Sequence, residues 1–252
     1  MKATPPVALW LVPALGLLAL LPLSDPGRNQ ALFLLLNQAA ALLPAVIWSS
    51  LTVLGDTLVA LCLLLLLLRQ RPDLVLAVLL VALPTTLLTH GLKDAFDVAR
   101  PYAVLGDQVH VIGRYLTSGS FPSGHTTTIF LLAAVVVGGL RSTTATVLAL
   151  TLALLVGGAR IAVGAHWPLD VAGGIVCGWA MGLLGLYGVR RVDWANRPAV
   201  LLAMRLLLIT CALILYFDFN SGYPLARPFE QAIALLVLVT HLLPGWRMEP
   251  RP

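Results

Sequence analysis

Charged residues are scarce in this chain of 252 residues: Asp, Glu, Lys and Arg make up 11% of it, while 59% of its residues are hydrophobic. The mean hydropathy of +0.93 exceeds what the core of a soluble protein of this size requires, which excludes an ordinary soluble domain. The chain is a string of apolar stretches, most of them near the roughly 20 residues that a helix needs to cross a bilayer. We therefore predict an all-α, polytopic membrane protein.

Cysteine is also rare. Cys62, Cys177 and Cys211 are widely spaced and set among apolar residues, which excludes a disulfide framework and a cysteine metal site. The net charge of +5 forms no basic stripe with interleaved aromatic residues, so nucleic acid is excluded as a partner. The expected surroundings of the chain are the lipid bilayer, and the oligomeric state stays open.

Breaks that carry Pro, Gly or charge separate the apolar stretches. The predicted spans cover residues 6–23, 46–68, 74–92, 123–140, 143–163, 168–189, 198–216 and 230–245. A signal peptide is the alternative for the first span, but its apolar run is long and LSDPGRN lacks a small-x-small cleavage site, which favours an uncleaved anchor. Residues 30–43 are too short and too interrupted by Asn37 and Gln38 to span, so we predict an interfacial or re-entrant helix there.

Basic residues in short loops indicate the orientation, because they stay on the cytoplasmic side. The alternation of spans puts nine cations on the N-terminal side: Lys2, Arg69, Arg71, Arg141, Arg190, Arg191, Arg197, Arg247 and Arg251. Six lie on the other side: Arg28, Lys93, Arg100, Arg114, Arg160 and Arg227. The count favours a cytoplasmic N-terminus, more strongly if Lys93, Arg100 and Arg160 are retained for chemistry.

Three groups of ionisable residues share the non-cytoplasmic side. In GLKDAFDVARPY, Lys93 and Arg100 are seven residues apart, so on a continuing helix both would lie on one face, and Pro101 then ends any helix. A pair of cations snorkelling to the interface is the alternative interpretation. In FPSGHTTTIF, Ser123 is a candidate N-cap and Gly124 allows a ligand to approach the backbone. The first turn of this helix, which also carries His125, would therefore bind an anion. A capped helix without a ligand is the alternative.

The third group lies in GGARIAVGAHWPLD. Arg160 would end one helix, His166 sits in the turn and Pro168 suits the first position of the next helix. Asp170 follows His166 by four residues, a spacing that lets the carboxylate fix the imidazole tautomer. Such a pair is often only a polar contact between helices, but here three cations and a second histidine share its side of the membrane.

Ionisable groups at membrane depth are costly and usually serve a substrate, an ion or a proton path. Three cations and two histidines indicate phosphoryl transfer, in which one histidine attacks phosphorus and the other protonates the departing oxygen. Lysine and arginine then stabilise the charge on the phosphoryl oxygens. The carboxylate cluster that usually holds Mg²⁺ is missing from the pattern, so we expect no metal and no cofactor.

These three motifs resemble the three-part signature of the type 2 phosphatidic acid phosphatases, the PAP2 superfamily. The resemblance covers about residues 46–189 and implies a six-helix core, metal-independent lipid phosphatase activity and a phosphohistidine intermediate. It also implies that His166 is the nucleophile, Asp170 its orienting partner and His125 the general acid. The residues implied in phosphate binding are Lys93, Arg100, Ser123, Gly124 and Arg160. One departure is Ala159, where the family usually has Ser, so one phosphate contact is missing from the pattern.

The resemblance divides the chain into residues 1–45 with the first span and interfacial helix, the core at 46–189, and two extra apolar helices in 190–252. It implies a phosphate of polyprenyl pyrophosphate, phosphatidylglycerol phosphate, phosphatidic acid or lipid A as the substrate. The short loops and the absence of targeting extensions lead us to expect a bacterial inner membrane, with the site facing the periplasm. Two alternatives stay open: a lipid-to-lipid phosphotransferase with the same residues, and an anion-binding transporter, which would predict an internal repeat that is not visible here. The long loop at residues 101–121 also offers His110 and Arg114 as possible head-group contacts.

Overall fold

The computed structural model describes residues 7–242, and in that range it contains helices and no strand, as the all-α prediction requires. Lys2, Arg247, Arg251 and the end of the last predicted span lie outside the described residues. The α-helices are α1 (Ala8–Leu23), α2 (Pro26–Ala40), α3 (Ala45–Val53), α4 (Thr57–Leu67), α5 (Pro72–Phe96), α6 (Pro101–Leu105), α7 (Gly124–Leu140), α8 (Thr143–Ala162), α9 (Pro168–Val189), α10 (Pro198–Phe217) and α11 (Arg227–Leu242).

Four of these helices are long and apolar enough to cross a bilayer: α5, α8, α9 and α10. Two bent pairs reach that length only when each is taken together, namely α1 with α2 and α3 with α4. Helix α7 is apolar but has only 17 residues. The described part of the chain is therefore a polytopic membrane helical bundle, as predicted.

Helix α2 covers most of residues 30–43, where an interfacial or re-entrant helix is predicted, and it turns away from α1 by 110°. Asp25 begins it by accepting a hydrogen bond from the Arg28 backbone N–H at 2.8 Å, and proline follows at the first position. The buried Asn37 amide donates to the carbonyls of Ile161 and Ala162 at the end of α8. Since a buried amide needs such partners, Asn37 ties α2 across that end of the bundle.

The predicted span at residues 46–68 is wrong in one respect, because the chain breaks there into α3 and α4 at an angle of 65°. Asp56 caps α4 by accepting from the Leu58 backbone N–H at 2.8 Å. Gly55 lies against α7, where an added Cβ would come within 2.8 Å of the His125 carbonyl oxygen. A cap residue and a close backbone approach at neighbouring positions explain the break.

The expectation that a continuing helix carries both Lys93 and Arg100 is also wrong. Helix α5 ends at Phe96, where Asp97 adopts a left-handed conformation with φ of 39°. Arg100 is the N-cap residue of α6, so Pro101 begins a helix and does not end one. The two cations therefore approach each other through the fold of the following loop.

Helices α7 and α9 pack closely along a seam of glycines on α9. An added Cβ at Gly174 would lie 2.8 Å from the Ser123 carbonyl oxygen, and one at Gly182 would lie 2.7 Å from the Leu131 carbonyl oxygen. Between them, a Cβ at Gly178 would collide with the Thr127 carbonyl. Small residues four apart let helix backbones approach in this way in a membrane. The seam fixes the start of α7 beside the start of α9.

The two predicted C-terminal helices are present as α10 and α11, and both pack against α4. Leu208 and Leu215 of α10 and Val237 of α11 are fully buried in one cluster with Leu65 and other α4 residues. The connection between α10 and α11 reaches the loop at residues 101–121, where Arg114 donates to the Asn220 carbonyl. The C-terminal helices are thus built into the bundle.

The ionisable residues singled out from the sequence lie at one end of the bundle. At one end, Arg71 before α5 donates to the Gly139 carbonyl near the end of α7 at 2.9 Å. The other end of the same two helices carries Lys93 and His125. The second end therefore collects the ionisable groups that the sequence singled out.

Candidate active site

Ser123 and Gly124 form the start of α7, as the sequence predicts. Ser123 is fully buried, and its hydroxyl accepts from the Thr126 backbone N–H at 3.4 Å and from the Thr126 hydroxyl at 2.9 Å. Its own N–H donates to the Asp170 backbone carbonyl at 3.0 Å, which links α7 to α9. A Cβ added to Gly124 would meet no atom within 4 Å, so the space beside this backbone is open.

His125 follows on the first turn of α7. Its Nε2 atom is shielded from solvent and has no hydrogen-bond partner among the described residues. The backbone of Gly55 packs against its Cβ, so the break between α3 and α4 holds this side chain in place. A buried polar atom without a partner is rare, and a ligand that accepts or donates a hydrogen bond here would satisfy it.

His166 and Asp170 are in contact, as their spacing predicts. The His166 Nδ1 atom lies 3.3 Å from Asp170 Oδ2, and both side chains are buried. The same oxygen accepts from the Trp167 backbone N–H at 2.8 Å and from the Ser120 hydroxyl. Three donors on one oxygen hold the carboxylate still, and Ser120 is a member that the sequence analysis did not identify.

The partners of His166 determine its tautomer. Its other ring nitrogen, Nε2, lies 3.3 Å from Arg100 Nη1. An arginine only donates hydrogen bonds and an ionised carboxylate only accepts them. The proton therefore resides on Nδ1, facing Asp170, and the lone pair resides on Nε2, which is the arrangement of a nucleophile.

Charge around His166 also keeps it neutral. Burial lowers the pKa of His166 well below its usual 6.5, and the positive charges of Arg100, Arg160 and Lys93 lower it further. A neutral imidazole is the form that can attack an electrophile.

Lys93 and Arg100 meet at the end of the loop that precedes α7. The ammonium of Lys93 and Nη2 of Arg100 both donate to the Gly119 carbonyl, the second at 3.2 Å. Arg100 also donates through Nε to the Ser118 carbonyl at 2.8 Å and through Nη1 to the Ala165 carbonyl at 2.9 Å. Backbone carbonyls thus hold both cations beside His166.

Arg160 is 3% exposed, and two hydroxyl groups hold its guanidinium. Its Nη1 atom donates to the Thr52 hydroxyl and to the Tyr223 hydroxyl, the latter at 2.8 Å. Its Nε atom is buried without a partner among the described residues. Thr52 and Tyr223 are not predictable from the sequence as partners of Arg160, because no local pattern connects them with it.

The eight residues singled out from the sequence lie together at one end of the bundle: Lys93, Arg100, Ser123, Gly124, His125, Arg160, His166 and Asp170. The other candidates have different partners: Arg114 donates to Asn220, and His90 contacts the Thr86 carbonyl of its own helix. His110 is exposed, and its backbone binds Asn37. Within residues 7–242, no three His, Cys, Asp or Glu side chains are grouped so that they could hold a metal ion.

A sequence profile and two solved structures connect this chain with one family. The sequence profile described as the PAP2 superfamily matches residues 73–194. The crystal structure of LpxE from Aquifex aeolicus is 32% identical and superposes with a TM-score of 0.57, covering 62% of this chain and 93% of that one. A transmembrane PAP2 type phosphatidylglycerolphosphate phosphatase from Bacillus subtilis is 23% identical, with a TM-score of 0.52, covering 77% of this chain and 98% of that one. No curated protein sequence matches.

Proposed function

The chain belongs to the PAP2 superfamily, and from this premise we propose that it is an integral membrane phosphatase that removes phosphate from a membrane lipid through a phosphohistidine on His166. The observation that carries the proposal is the environment of His166. Its Nδ1 faces Asp170 and its Nε2 faces Arg100, within a group of three cations. A buried, neutral histidine with a fixed tautomer beside phosphate-binding side chains is an activated nucleophile.

The reaction takes two steps. In the first, the lone pair of His166 Nε2 forms a bond to phosphorus, the bond from phosphorus to the lipid oxygen breaks, and His125 gives a proton to that oxygen. In the second, water attacks phosphorus and loses a proton to His125, and the nitrogen–phosphorus bond breaks to release phosphate. Asp170 stabilises the positive charge on the His166 ring while the phosphoryl group is attached.

The cations supply the electrostatic stabilisation. Lys93, Arg100 and Arg160 would neutralise the charge on the phosphoryl oxygens, and the free N–H groups at the start of α7 would bind one more oxygen. Arg160 Nε and His125 Nε2 are buried without partners among the described residues, and a bound phosphate would satisfy both. Because three fixed charges perform the task that Mg²⁺ performs in kinases, we expect activity without a metal.

An apolar furrow between α4, α5 and α7 supports a lipid substrate. Two small cavities of about 40 and 90 Å³ share Ala60, Val78 and Leu132 in their walls, so they adjoin along this furrow. Thr128, one turn after His125, lines the cavity nearer the site, and Leu74 lines the other cavity. The furrow therefore begins one helical turn from His125, and its apolar walls would contact one chain of a lipid whose phosphate reaches His166.

The lipid class and the membrane orientation are proposed as the sequence led us to expect. The proposed substrates are polyprenyl pyrophosphate, phosphatidylglycerol phosphate, phosphatidic acid and the phosphates of lipid A. Among the described residues, the end opposite the site carries six cations: Arg69, Arg71, Arg141, Arg190, Arg191 and Arg197. The site end carries three once Lys93, Arg100 and Arg160 are assigned to chemistry: Arg28, Arg114 and Arg227. This difference supports a site that faces the periplasm of a bacterial inner membrane. The division of the chain at residues 45 and 189 remains a prediction.

Labelling of single cysteines tests the orientation. Asp107 lies in the exposed loop at the site end, and Thr144 lies at the exposed start of α8 at the other end. We expect a membrane-impermeant maleimide to label Asp107→Cys in intact cells and Thr144→Cys only after lysis, with the unmodified chain as the background control. The reverse pattern would place the site on the cytoplasmic side.

Phosphate release by the purified protein tests the activity. The four lipids are each incubated with wild type and with His166→Ala in the presence of EDTA, and the free phosphate is measured. Release by wild type alone supports the metal-independent phosphatase and ranks the lipids. If a folded wild type releases none, the hydrolase proposal fails, and transfer of labelled phosphate to a second lipid becomes the assay that distinguishes a phosphotransferase.

A further inference from the structure

Arg160 has two hydroxyl partners, and both lie outside the residues that match the family profile. The profile covers residues 73–194. Thr52 precedes that segment at the end of α3, and Tyr223 follows it between α10 and α11. The Arg160 guanidinium therefore depends on contacts that this chain makes beyond the matched segment.

We propose that Tyr223, together with Thr52, is a positioning residue for Arg160, and that the α10–α11 hairpin is part of the active centre. The proposal rests on the proposed function, in which Arg160 binds the phosphoryl group. It also gives a role to the C-terminal helices, which the sequence analysis left without one.

The contacts describe how the positioning works. Nη1 of Arg160 donates to both hydroxyls, and the Tyr223 ring centroid lies 5.8 Å from the guanidinium carbon. With Nη1 held from one side, the planar fork keeps a fixed orientation. The Nε–H, which has no partner among the described residues, then remains available to a phosphate oxygen.

Tyr223 is itself fixed by packing. It is 7% exposed and lies in a cluster with Val53, Ile112 and Val163. A Cβ on Gly113 would come within 2.8 Å of its ring, so the loop at residues 101–121 contacts it closely. The phenol oxygen thus reaches Arg160 from a rigid support.

Position 159 fits the same interpretation. The resemblance implies a serine before this arginine, whereas the chain has Ala159, which is fully buried and offers no hydroxyl. Thr52 and Tyr223 bind the neighbouring Arg160 and not the phosphate. With the Ser hydroxyl missing from the pattern, phosphate binding at this turn would depend on Arg160, whose position these two hydroxyls hold.

The test is a double-mutant cycle between Tyr223 and Arg160. Tyr223→Phe removes only the hydroxyl and keeps the ring in its cluster, so the protein should unfold within a few degrees of wild type. Because a hydrogen bond to a charged group is lost, we expect kcat/KM to fall by about tenfold or more. In an Arg160→Lys background the same change should cost less than about twofold, since the fork that Tyr223 holds is absent. Thr52→Val should behave like Tyr223→Phe, and Thr52→Ser should restore activity.

The matched control is Tyr216→Phe, on the same hairpin, whose ring packs against Phe217 at 4.9 Å. We expect it to keep the wild-type rate. An equal loss from Tyr223→Phe in both backgrounds would show a merely structural role and overturn the proposal, as would an unchanged rate for Tyr223→Phe.

Inorganic phosphate separates this proposal from the proposed function. Stabilisation of the purified protein against heat by inorganic phosphate requires no turnover. One outcome is that wild type hydrolyses no lipid, that phosphate stabilises it, and that Tyr223→Phe weakens this stabilisation only when Arg160 is present. The positioning role then stands, while the phosphatase proposal fails. If phosphate stabilises wild type and Tyr223→Phe equally, the positioning role is wrong.

Discussion

Replacing Asp170 by asparagine should slow turnover strongly while leaving the protein folded. The Oδ2 atom accepts hydrogen bonds from His166 Nδ1 at 3.3 Å, from the Trp167 N–H at 2.8 Å and from the Ser120 hydroxyl. Asparagine offers one acceptor oxygen and an amide that only donates. It keeps the cap on the Trp167 backbone but removes the charge that faces His166.

The size of the effect follows from that lost charge. A hydrogen bond to an ionised group contributes about 1.5–3 kcal/mol, and each 1.36 kcal/mol changes a rate tenfold. We therefore expect kcat to fall by about 10- to 150-fold. KM should change little, because Asp170 lies behind His166 and makes no contact with the phosphate-binding side chains Arg160 and Ser123 through its carboxylate.

The assay is the initial rate of phosphate release over a range of concentrations of the best lipid, with the melting temperature measured on the same preparation. Asp193→Asn is the matched control, since it makes the same chemical change in a side chain that is 90% exposed and 3.6 Å from Arg197. A folded Asp170→Asn protein with kcat within about threefold of wild type would refute the assignment of Asp170 as the partner of the nucleophile.

Three further predictions concern pH, metal removal and packing. Because His166 must be neutral to attack and its pKa lies well below 6.5, kcat should show no loss as the pH falls through 6.5. Arg100→Gln should move the acid limb to higher pH, and a wild-type acid limb at 6.5 would contradict this. Dialysis against EDTA should leave the rate unchanged, and recovery of a lost rate by one added divalent metal would show that the cations are not sufficient. Gly178→Val should destabilise the bundle by about 1–3 kcal/mol or prevent folding, because the new side chain meets the Thr127 carbonyl. Gly91→Ala, at a position with open space, should leave the melting temperature at the wild-type value.

Local patterns predicted the parts of the site that lie within a few residues of one another. The spacing of His166 and Asp170 placed them in contact, Ser123 was recognised as a cap, and Pro168 marked the start of α9. The short, polar-interrupted stretch around Asn37 predicted a separate helix, and α2 is bent away from α1 by 110°. Each of these features depends on neighbouring residues, and helix geometry carries that information directly.

The sequence analysis was wrong where two local signals competed. Residues 46–68 have the composition of one span, but Gly55 and Asp56 break it into α3 and α4. The seven-residue spacing of Lys93 and Arg100 suited a helix, yet Asp97 ends α5 first. In the first place a cap outweighed apolar composition, and a close contact with α7 stabilised the break at Gly55. In the second place a left-handed turn outweighed helical spacing.

The sequence by itself determined the membrane class and the family, because hydropathy, capping and motif spacing are properties of short stretches. Only the tertiary structure decided which groups hold those residues in place. Ser120 is 50 residues from Asp170, Tyr223 is 63 from Arg160, and Thr52 is 108 from Arg160. Contacts at such separations are made by the packing of distant helices, which no local periodicity encodes.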